Sequence, residues 1–145
     1  MEISVLKTRP VRVPHKRLAM LGDALLRAEG WSTDCEADLW LCTDAEIQDL
    51  NQRYRDKDRP TDVLSFPQYE PGDRPVPGLP AHLGDVMISV DTATRQAEER
   101  GVSLTAEIIW LWLHSLLHLI GYDDDTETGY QQMVQKAGEV LNTRE

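Results

Sequence analysis

The stretch IIWLWLHSLLHLIGYDDD, residues 108–125, contains the most apolar run of this sequence and two histidines four residues apart. The run itself, residues 108–120, is 13 residues long, which is too short to span a bilayer and is typical of a buried helix. Gly121 then interrupts the apolar pattern and ends the helix. The sequence therefore predicts a core helix that carries His114 and His118 on one face.

Before this helix, short strand patterns alternate with helix patterns, and helices follow one another towards the end of the chain. Strands are predicted at residues 2–6, 37–42, 62–66 and 84–89, and helices from Pro14 to Gly30, from Thr43 through Tyr54, from an Asp91 cap to Gly101, from Ser103 or Thr105 to Gly121, and from Thr126 to Asn142. Residues 67–83 hold five prolines and are predicted to be a long irregular loop with His82 on its surface. We therefore predict one α+β domain of residues 1–145, with about five helices on a small mixed four-stranded sheet.

The composition and the cysteines predict a globular, cytoplasmic domain without a membrane segment. Apolar residues make up 41% of the chain, and the net charge of −10 argues against nonspecific attraction to nucleic acid. Basic residues are concentrated in residues 1–17 and 53–59, where they can meet an anionic substrate. Cys35 and Cys42 do not have the spacing of a metal or redox motif, and we expect both to be reduced.

His114 and His118 are one helical turn apart, so their imidazoles can converge on one metal ion. A catalytic zinc site needs a third protein ligand and an open position. Gly121 can adopt the left-handed conformation that folds the chain back, which makes Asp124 the natural third ligand. Two core histidines bonded to neighbours are the alternative, but both nitrogens of each buried ring would then need partners. We therefore predict one zinc ion on His114, His118 and Asp124, a site that is also compatible with other divalent metals.

The residue after the first histidine distinguishes this site from that of zinc peptidases. The peptidase motif HExxH has glutamate there as the general base. This chain has Ser115, which cannot take a proton from water in that way. A metallopeptidase is therefore less favoured than a hydrolysis that depends more on the metal's effect on water, although the ligand geometry is metzincin-like.

A second informative segment, NQRYRDKDRPTDVLSFP at residues 51–67, combines a helix end, a basic turn and a strand. Arginine offers a planar fork of donors that matches a phosphate group. A solvated charged surface explains Arg53, Lys57 and Arg59 equally well.

Three blocks together, NQRYRDKDRPTDVLSFP, LGDVMIS at residues 83–89 and HSLLHLIGYD at residues 114–123, resemble the YbeY family of bacterial endoribonucleases in order and spacing. The resemblance implies a zinc-dependent, single-strand-specific endoribonuclease that acts in maturation of the 3′ end of 16S rRNA and in ribosome quality control. It also implies three histidine ligands in the pattern HxxxHxxxxxH, of which the first two match His114 and His118. The third position falls on Asp124, where this sequence departs from the family.

The departure at Asp124 alters the expected metal site. A carboxylate adds a negative charge, lowers the Lewis acidity of the ion relative to imidazole and favours harder ions. Asp123 and Asp125 adjoin it, so the identity of the third ligand stays open at this point. An arginine important for activity in the family maps onto Arg55, whose expected role is to clamp the phosphate and offset transition-state charge.

The function that these features predict is cleavage of single-stranded rRNA in a groove near the third strand and the proline-rich loop. Tyr54, Phe66 and Tyr122 are predicted to stack on bases or to pack in the core. Asp62 and Asp85, in the matching blocks, are either a general base or residues of turns and caps. A non-catalytic ribosome-biogenesis factor, which binds rRNA or a protein of the small ribosomal subunit, is the alternative that the acidic charge favours.

Overall fold

The computed structural model describes residues 1–70, 72–73 and 80–142 and has four strands and five helices among them. The strands are β1 (Glu2–Lys7), β2 (Cys35–Cys42), β3 (Val63–Pro67) and β4 (Ala81–Ser89). The helices are α1 (His15–Ala28), α2 (Asp44–Arg55), α3 (Val90–Arg100), α4 (Leu104–Leu119) and α5 (Glu127–Asn142). Every predicted element is present, with ends that differ by a few residues.

The four strands form one sheet in the order β1-β2-β4-β3. β1, β2 and β4 are parallel to one another, whereas β3 lies at the edge and is antiparallel to β4. Parallel neighbours need a crossover connection, which α1 supplies between β1 and β2. The predicted α+β class, with a mixed four-stranded sheet and about five helices, is therefore confirmed.

α4 is the central helix of the core. It contacts α1, α3, α5, β3 and β4, and 11 of its 16 residues are buried. Trp112 is fully buried, and its indole Nε1 donates a hydrogen bond of 3.1 Å to the carbonyl oxygen of Leu18 in α1. This bond satisfies the polar end of the largest fully buried side chain and fixes α4 against α1. The predicted core helix thus forms a rigid support for its two histidines.

α2 covers part of the opposite face of the sheet. Its buried Ile47 packs with Cys42 of β2 and Leu64 of β3 in a small cluster separate from the main core. Directly paired residues share one face of a sheet. Since Leu64 is paired with Met87, and Ser65 with Val86, successive residues of β3 alternate between α2 and the main core.

Polar caps begin the helices that bear most on the site. The predicted capping box of α2 is confirmed, because Thr43 Oγ1 accepts from the Glu46 N–H at 3.2 Å and Glu46 Oε1 accepts from the Thr43 N–H at 3.0 Å. Ser103, one of the two predicted starting residues of α4, accepts from the Ala106 N–H at 3.1 Å. Both caps satisfy donors that the first helical turn leaves unbonded.

The prediction that Asp91 caps α3 is wrong. Ser89 is the cap, two residues earlier, and its hydroxyl accepts from the Thr92 N–H at 3.2 Å. Asp91 instead accepts a hydrogen bond of 2.9 Å from the backbone N–H of Asp44. A long-range contact between α2 and α3 therefore took the carboxylate that local sequence assigned to a cap.

The predicted loop at residues 67–83 is too long at its end. β4 begins at Ala81, and His82 pairs with Glu36 of β2, so His82 is a strand residue and not a loop residue. Ladder hydrogen bonds to β2 outweigh the proline-rich composition that precedes them. The loop prediction for residues 71 and 74–79 lies outside the described residues.

Cys35 and Cys42 are free and buried, and burial raises the pKa of the Cys42 thiol to about 12, which keeps it protonated and unreactive.

Within the described ranges, no single helix is both long and apolar enough to cross a bilayer. α3 and α4 are long and apolar enough only when taken together, and the pair is bent by 112°.

Gly84 of β4 packs directly against the backbone of β3, with no room for a side chain. Its φ is +142°, and a Cβ at this position would collide with the Phe66 carbonyl oxygen and lie 3.0 Å from the Pro67 Cα. We expect Gly84→Ala to lower the free energy of unfolding by about 3 kcal/mol, since backbone strain and overpacking both oppose it.

Gly138→Ala is the matched control for this prediction. A Cβ at Gly138 of α5 meets nothing within 4 Å, so alanine should raise the free energy of unfolding by about 0.5–1 kcal/mol. Urea denaturation of both variants measures the difference. Equal stability of the two variants would contradict the close approach at Gly84.

Candidate active site

A cleft of about 230 Å³ opens between the edge strand β3 and the helices α3, α4 and α5. His114, His118, Asp124 and Arg55 all line it, although they come from three separate parts of the chain. These are the four residues that the sequence predicted for metal binding and catalysis. The fold therefore brings the whole predicted site together in one concave surface.

The donor atoms of His114, His118 and Asp124 all lie within 4.8 Å of one another. His118 Nε2 and Asp124 Oδ2 are 3.5 Å apart. Two ligands at about 2.1 Å from a tetrahedral zinc ion are roughly 3.4 Å from each other, so this spacing fits a metal ion between them. Two imidazoles and one carboxylate form a donor set that suits zinc and other divalent transition metals.

The orientation of His118 is fixed by a backbone carbonyl group. Its Nδ1 lies 3.1 Å from the carbonyl oxygen of Tyr122, and because a carbonyl only accepts, Nδ1 carries the proton. The lone pair of Nε2 is then directed at the cluster. Tyr122 reaches this position because the chain reverses at Gly121, whose φ is +113°. The Tyr122 hydroxyl group donates to Glu29, so this ring has a structural role.

His114 does not have the hydrogen bonds of a purely structural histidine. Its side chain is buried, and its Nδ1 has no hydrogen-bond partner among the described residues. Burial lowers the pKa of His114, and a charge on His118 lowers it further. The imidazole is therefore neutral near pH 7, which is the form that binds a metal ion.

Asp124 is the member of the three adjacent aspartates that lines the cleft. Asp123 is engaged locally, since its Oδ1 accepts from the Asp125 N–H at 3.2 Å. This short turn separates the neighbouring carboxylates and leaves Asp124 beside His118. The geometry thus favours Asp124 over Asp123 and Asp125 as the third ligand.

Arg55 is the last residue of α2, and its exposed side chain lies at the edge of the cleft. Asp56 follows in the left-handed conformation, with φ of 57°, and ends the helix there. Arg53, two residues earlier, forms an exposed ion pair of 2.9 Å with Asp49. The two arginines therefore differ, because Arg55 faces the cleft and Arg53 belongs to a solvated surface.

Three further aromatic or charged residues of the cleft were not predicted from the sequence. Trp110 and Tyr130 contact His114, with ring centroids 5.8 and 5.7 Å from that of the imidazole. Trp110 precedes His114 by four residues, so helical spacing alone would have found it. Tyr130 of α5 and Arg100 of α3 reach the cleft only through tertiary packing, for which the sequence carries no spacing signal.

Asp62 lies in the cleft but is committed to local structure. Its Oδ1 accepts a 2.7 Å hydrogen bond from the Val63 N–H, and its Oδ2 accepts from Gln96 Nε2 at 3.3 Å. These bonds give Asp62 a structural role at the start of β3. They also hold the start of β3 against α3, which shapes one wall of the cleft.

Asp85 is not part of the cleft, so the candidate role of general base is wrong for this residue. It is paired with Phe66 and therefore lies on the opposite face of the sheet, beside Asp38. Burial raises the pKa of Asp85, and a hydrogen bond with Asp38 raises it further. His82 Nε2 is 3.3 Å from Asp38 Oδ2. Asp38, His82 and Asp85 thus form a hydrogen-bonded cluster away from the cleft.

Comparison with known proteins identifies the family. The model of the family described as Endoribonuclease YbeY matches residues 7–145. The chain belongs to this family. Endoribonuclease YbeY of Bacillus licheniformis is 44% identical over 138 residues, which cover 90% of this chain and 87% of the relative. That of Thermus thermophilus is 44% identical over 125 residues, which cover 85% and 86%.

The fold comparison agrees with the sequence comparison. A solution structure of a Thermotoga maritima protein is similar to this chain with a TM-score of 0.64 and 25% identity, and the match covers 97% of this chain and 90% of that one. The predicted YbeY-family membership and the predicted endoribonuclease class are therefore confirmed.

Proposed function

We propose that the chain, as one domain of residues 1–145, is a metal-dependent, single-strand-specific endoribonuclease that acts in maturation of the 3′ end of 16S rRNA and in ribosome quality control. The observation that carries the proposal is the convergence of three donor atoms within 4.8 Å in the cleft that Arg55 lines. A phosphodiester needs a cationic site for its developing charge, and this cleft offers one metal site and an arginine.

The metal would be held by His114, His118 and Asp124. A divalent cation there supplies a Lewis acid for a phosphoryl oxygen or for water. We propose one zinc ion per chain, while the carboxylate of Asp124 also suits manganese and other harder ions. The backbone carbonyl of Tyr122 holds His118 in the required tautomer, as outer partners of metal-bound histidines commonly do.

The other residues of the cleft would bind and orient the strand. Arg55 offers two parallel N–H donors to the scissile phosphate and offsets the charge that grows on it. Trp110 and Tyr130 present rings beside His114 on which a base can stack. The cleft, with a volume of about 230 Å³, is smaller than typical ligand pockets, and we expect it to accept part of one strand.

The surroundings of the site favour an RNA substrate over a peptide. Ser115 is completely buried and does not line the cleft, so it cannot serve as the base that glutamate supplies at this position in zinc peptidases. The net charge of −10 suits contacts with basic proteins of the small ribosomal subunit in the cytoplasm. The test is cleavage of matched single-stranded and duplex RNA of 16S rRNA 3′-end sequence, and equal cleavage of both would contradict the strand preference.

The third ligand can be tested by substitution of Asp124. We expect Asp124→Ala to weaken zinc affinity by more than about a hundredfold, beyond the loss typical of outer-sphere partners. Asp124→His supplies a neutral imidazole, so it should retain zinc and bind manganese less well than the parent. Competition with a chromophoric chelator measures both affinities.

Asp123→Ala is the control for this experiment, because Asp123 has the same charge and lies outside the cleft. It should bind zinc like the parent. If Asp124→Ala and Asp123→Ala bind zinc equally well, Asp124 is not a ligand.

A further inference from the structure

A second arginine lines the cleft, and a buried carboxylate holds it. Arg100 is the last residue of α3, and its Nη1 donates a hydrogen bond of 3.3 Å to Glu107 Oε1 in α4. The Arg100 side chain is 51% exposed, whereas that of Glu107 is 2% exposed. Within the described residues this is the one hydrogen bond of the Arg100 side chain, which leaves further N–H donors of the guanidinium group for a ligand.

Stability alone does not explain the ion pair of Arg100 and Glu107. Glu107 Oε2 is buried and has no hydrogen-bond partner in the described part of the chain, and burial raises the pKa of Glu107 while Arg100 opposes that shift. Buried ion pairs add little net stability, because desolvation offsets their attraction. An incompletely bonded carboxylate under a half-exposed arginine is better explained as a support that orients the guanidinium group.

The position of the pair relates it to the metal ligands. Glu107 precedes His114 by seven residues, so both lie on one face of α4, about 10 Å apart along the helix axis. Arg100 lines the same cleft as His114 and Arg55. A chain with a net charge of −10 repels a polyanion, so its RNA contacts depend on local cationic groups of this kind.

We propose that Arg100, oriented by Glu107, binds an RNA phosphate next to the scissile one, so that Arg100 and Arg55 align the strand along the cleft. This inference rests on the proposed function. Arg100 contacts the substrate, and Glu107 is a positioning residue that acts through it. The contact forms in the ground state as well as in the transition state, so its loss raises KM more than it lowers kcat.

The experiment compares Arg100→Gln, Glu107→Gln and the double variant with the parent. Fluorescence anisotropy of a labelled single-stranded oligoribonucleotide in EDTA measures affinity without cleavage, over a series of salt concentrations. We expect Arg100→Gln to weaken binding about fivefold to tenfold and to reduce the slope of log affinity against log salt by about 0.7, the value for one single-strand phosphate contact. In metal-loaded enzyme, kcat should stay within about threefold of the parent.

Glu107→Gln distinguishes positioning from simple electrostatics. If Glu107 orients Arg100, its loss weakens binding, and the double variant binds no worse than Arg100→Gln alone. If Glu107 only repels RNA, its loss strengthens binding, and the inference fails for Glu107. Arg27→Gln, which removes an exposed charge at the far end of α1, should leave the salt slope unchanged.

The outcomes separate this inference from the proposed function. A parent protein that binds and cleaves single-stranded RNA, together with an Arg100→Gln variant of unchanged affinity and salt slope, overturns the inference alone. A parent protein that neither binds nor cleaves single-stranded RNA overturns both. Thermal unfolding of Glu107→Gln is recorded in parallel, and since Arg100 is half exposed, Arg100→Gln tests the contact independently of the core.

Discussion

Alanine in place of His114 is expected to lower kcat/KM for RNA cleavage by at least about a thousandfold. The reason is the loss of one of three cation ligands, since Lewis-acid stabilisation is worth several kcal/mol and each 1.4 kcal/mol or so is a factor of ten in rate. Elemental analysis should show a parallel loss of bound metal from the purified variant. Circular dichroism checks that α4 still folds, and His114→Asn, which leaves a smaller cavity, repeats the test.

His82→Ala is the matched control for His114→Ala. His82 lies beside Asp38 on the other face of the sheet, away from the cleft. We expect its replacement to leave metal content and cleavage unchanged. Loss of metal from His82→Ala, together with retention of metal by His114→Ala, would contradict the proposed metal site. The ion would then lie on the other face of the sheet.

Replacement of Arg55 by glutamine is expected to lower kcat by about 10²–10³-fold while bound metal stays at the level of the parent. The guanidinium group is the donor that meets charge developing on the phosphate, and it takes no part in the metal site. Arg55→Lys should recover only part of the rate, because an ammonium group keeps the charge but lacks the planar pair of donors. Single-turnover cleavage rates and metal content, measured on the same preparations, separate the two roles.

Arg53→Gln is the corresponding control on α2. Arg53 is paired with Asp49 on the solvated side of the helix, so its replacement should change the cleavage rate by less than about threefold. If Arg55→Gln cleaves RNA as fast as Arg53→Gln, Arg55 has no catalytic role.

The parts of the site that were predictable from sequence are those set by local geometry. The spacing of His114 and His118 fixes them on one helix face, and Gly121 permits the reversal that returns Asp124 to His118. The capping box at Thr43 is equally local. Such features depend on a few neighbouring residues, so a short stretch of sequence is enough to specify them.

The parts that were missed depend on contacts between distant segments. Asp91 binds the N–H of Asp44 across 47 positions of sequence, and a local capping rule cannot anticipate that bond. The first residues of β4 form a strand because β2 lies beside them. Arg100 reaches the cleft only once α3 packs on α4, where the buried Glu107 holds its side chain.

Titration of metal-free protein with zinc tests most directly whether His114, His118 and Asp124 form the catalytic centre. The protein is stripped with a chelator, zinc is added in fractions of an equivalent, and cleavage of single-stranded RNA is followed at each step. We predict no cleavage without metal and a linear gain that levels off at one zinc per chain. Full cleavage by the stripped protein, or the same gain in His114→Ala, would contradict this assignment.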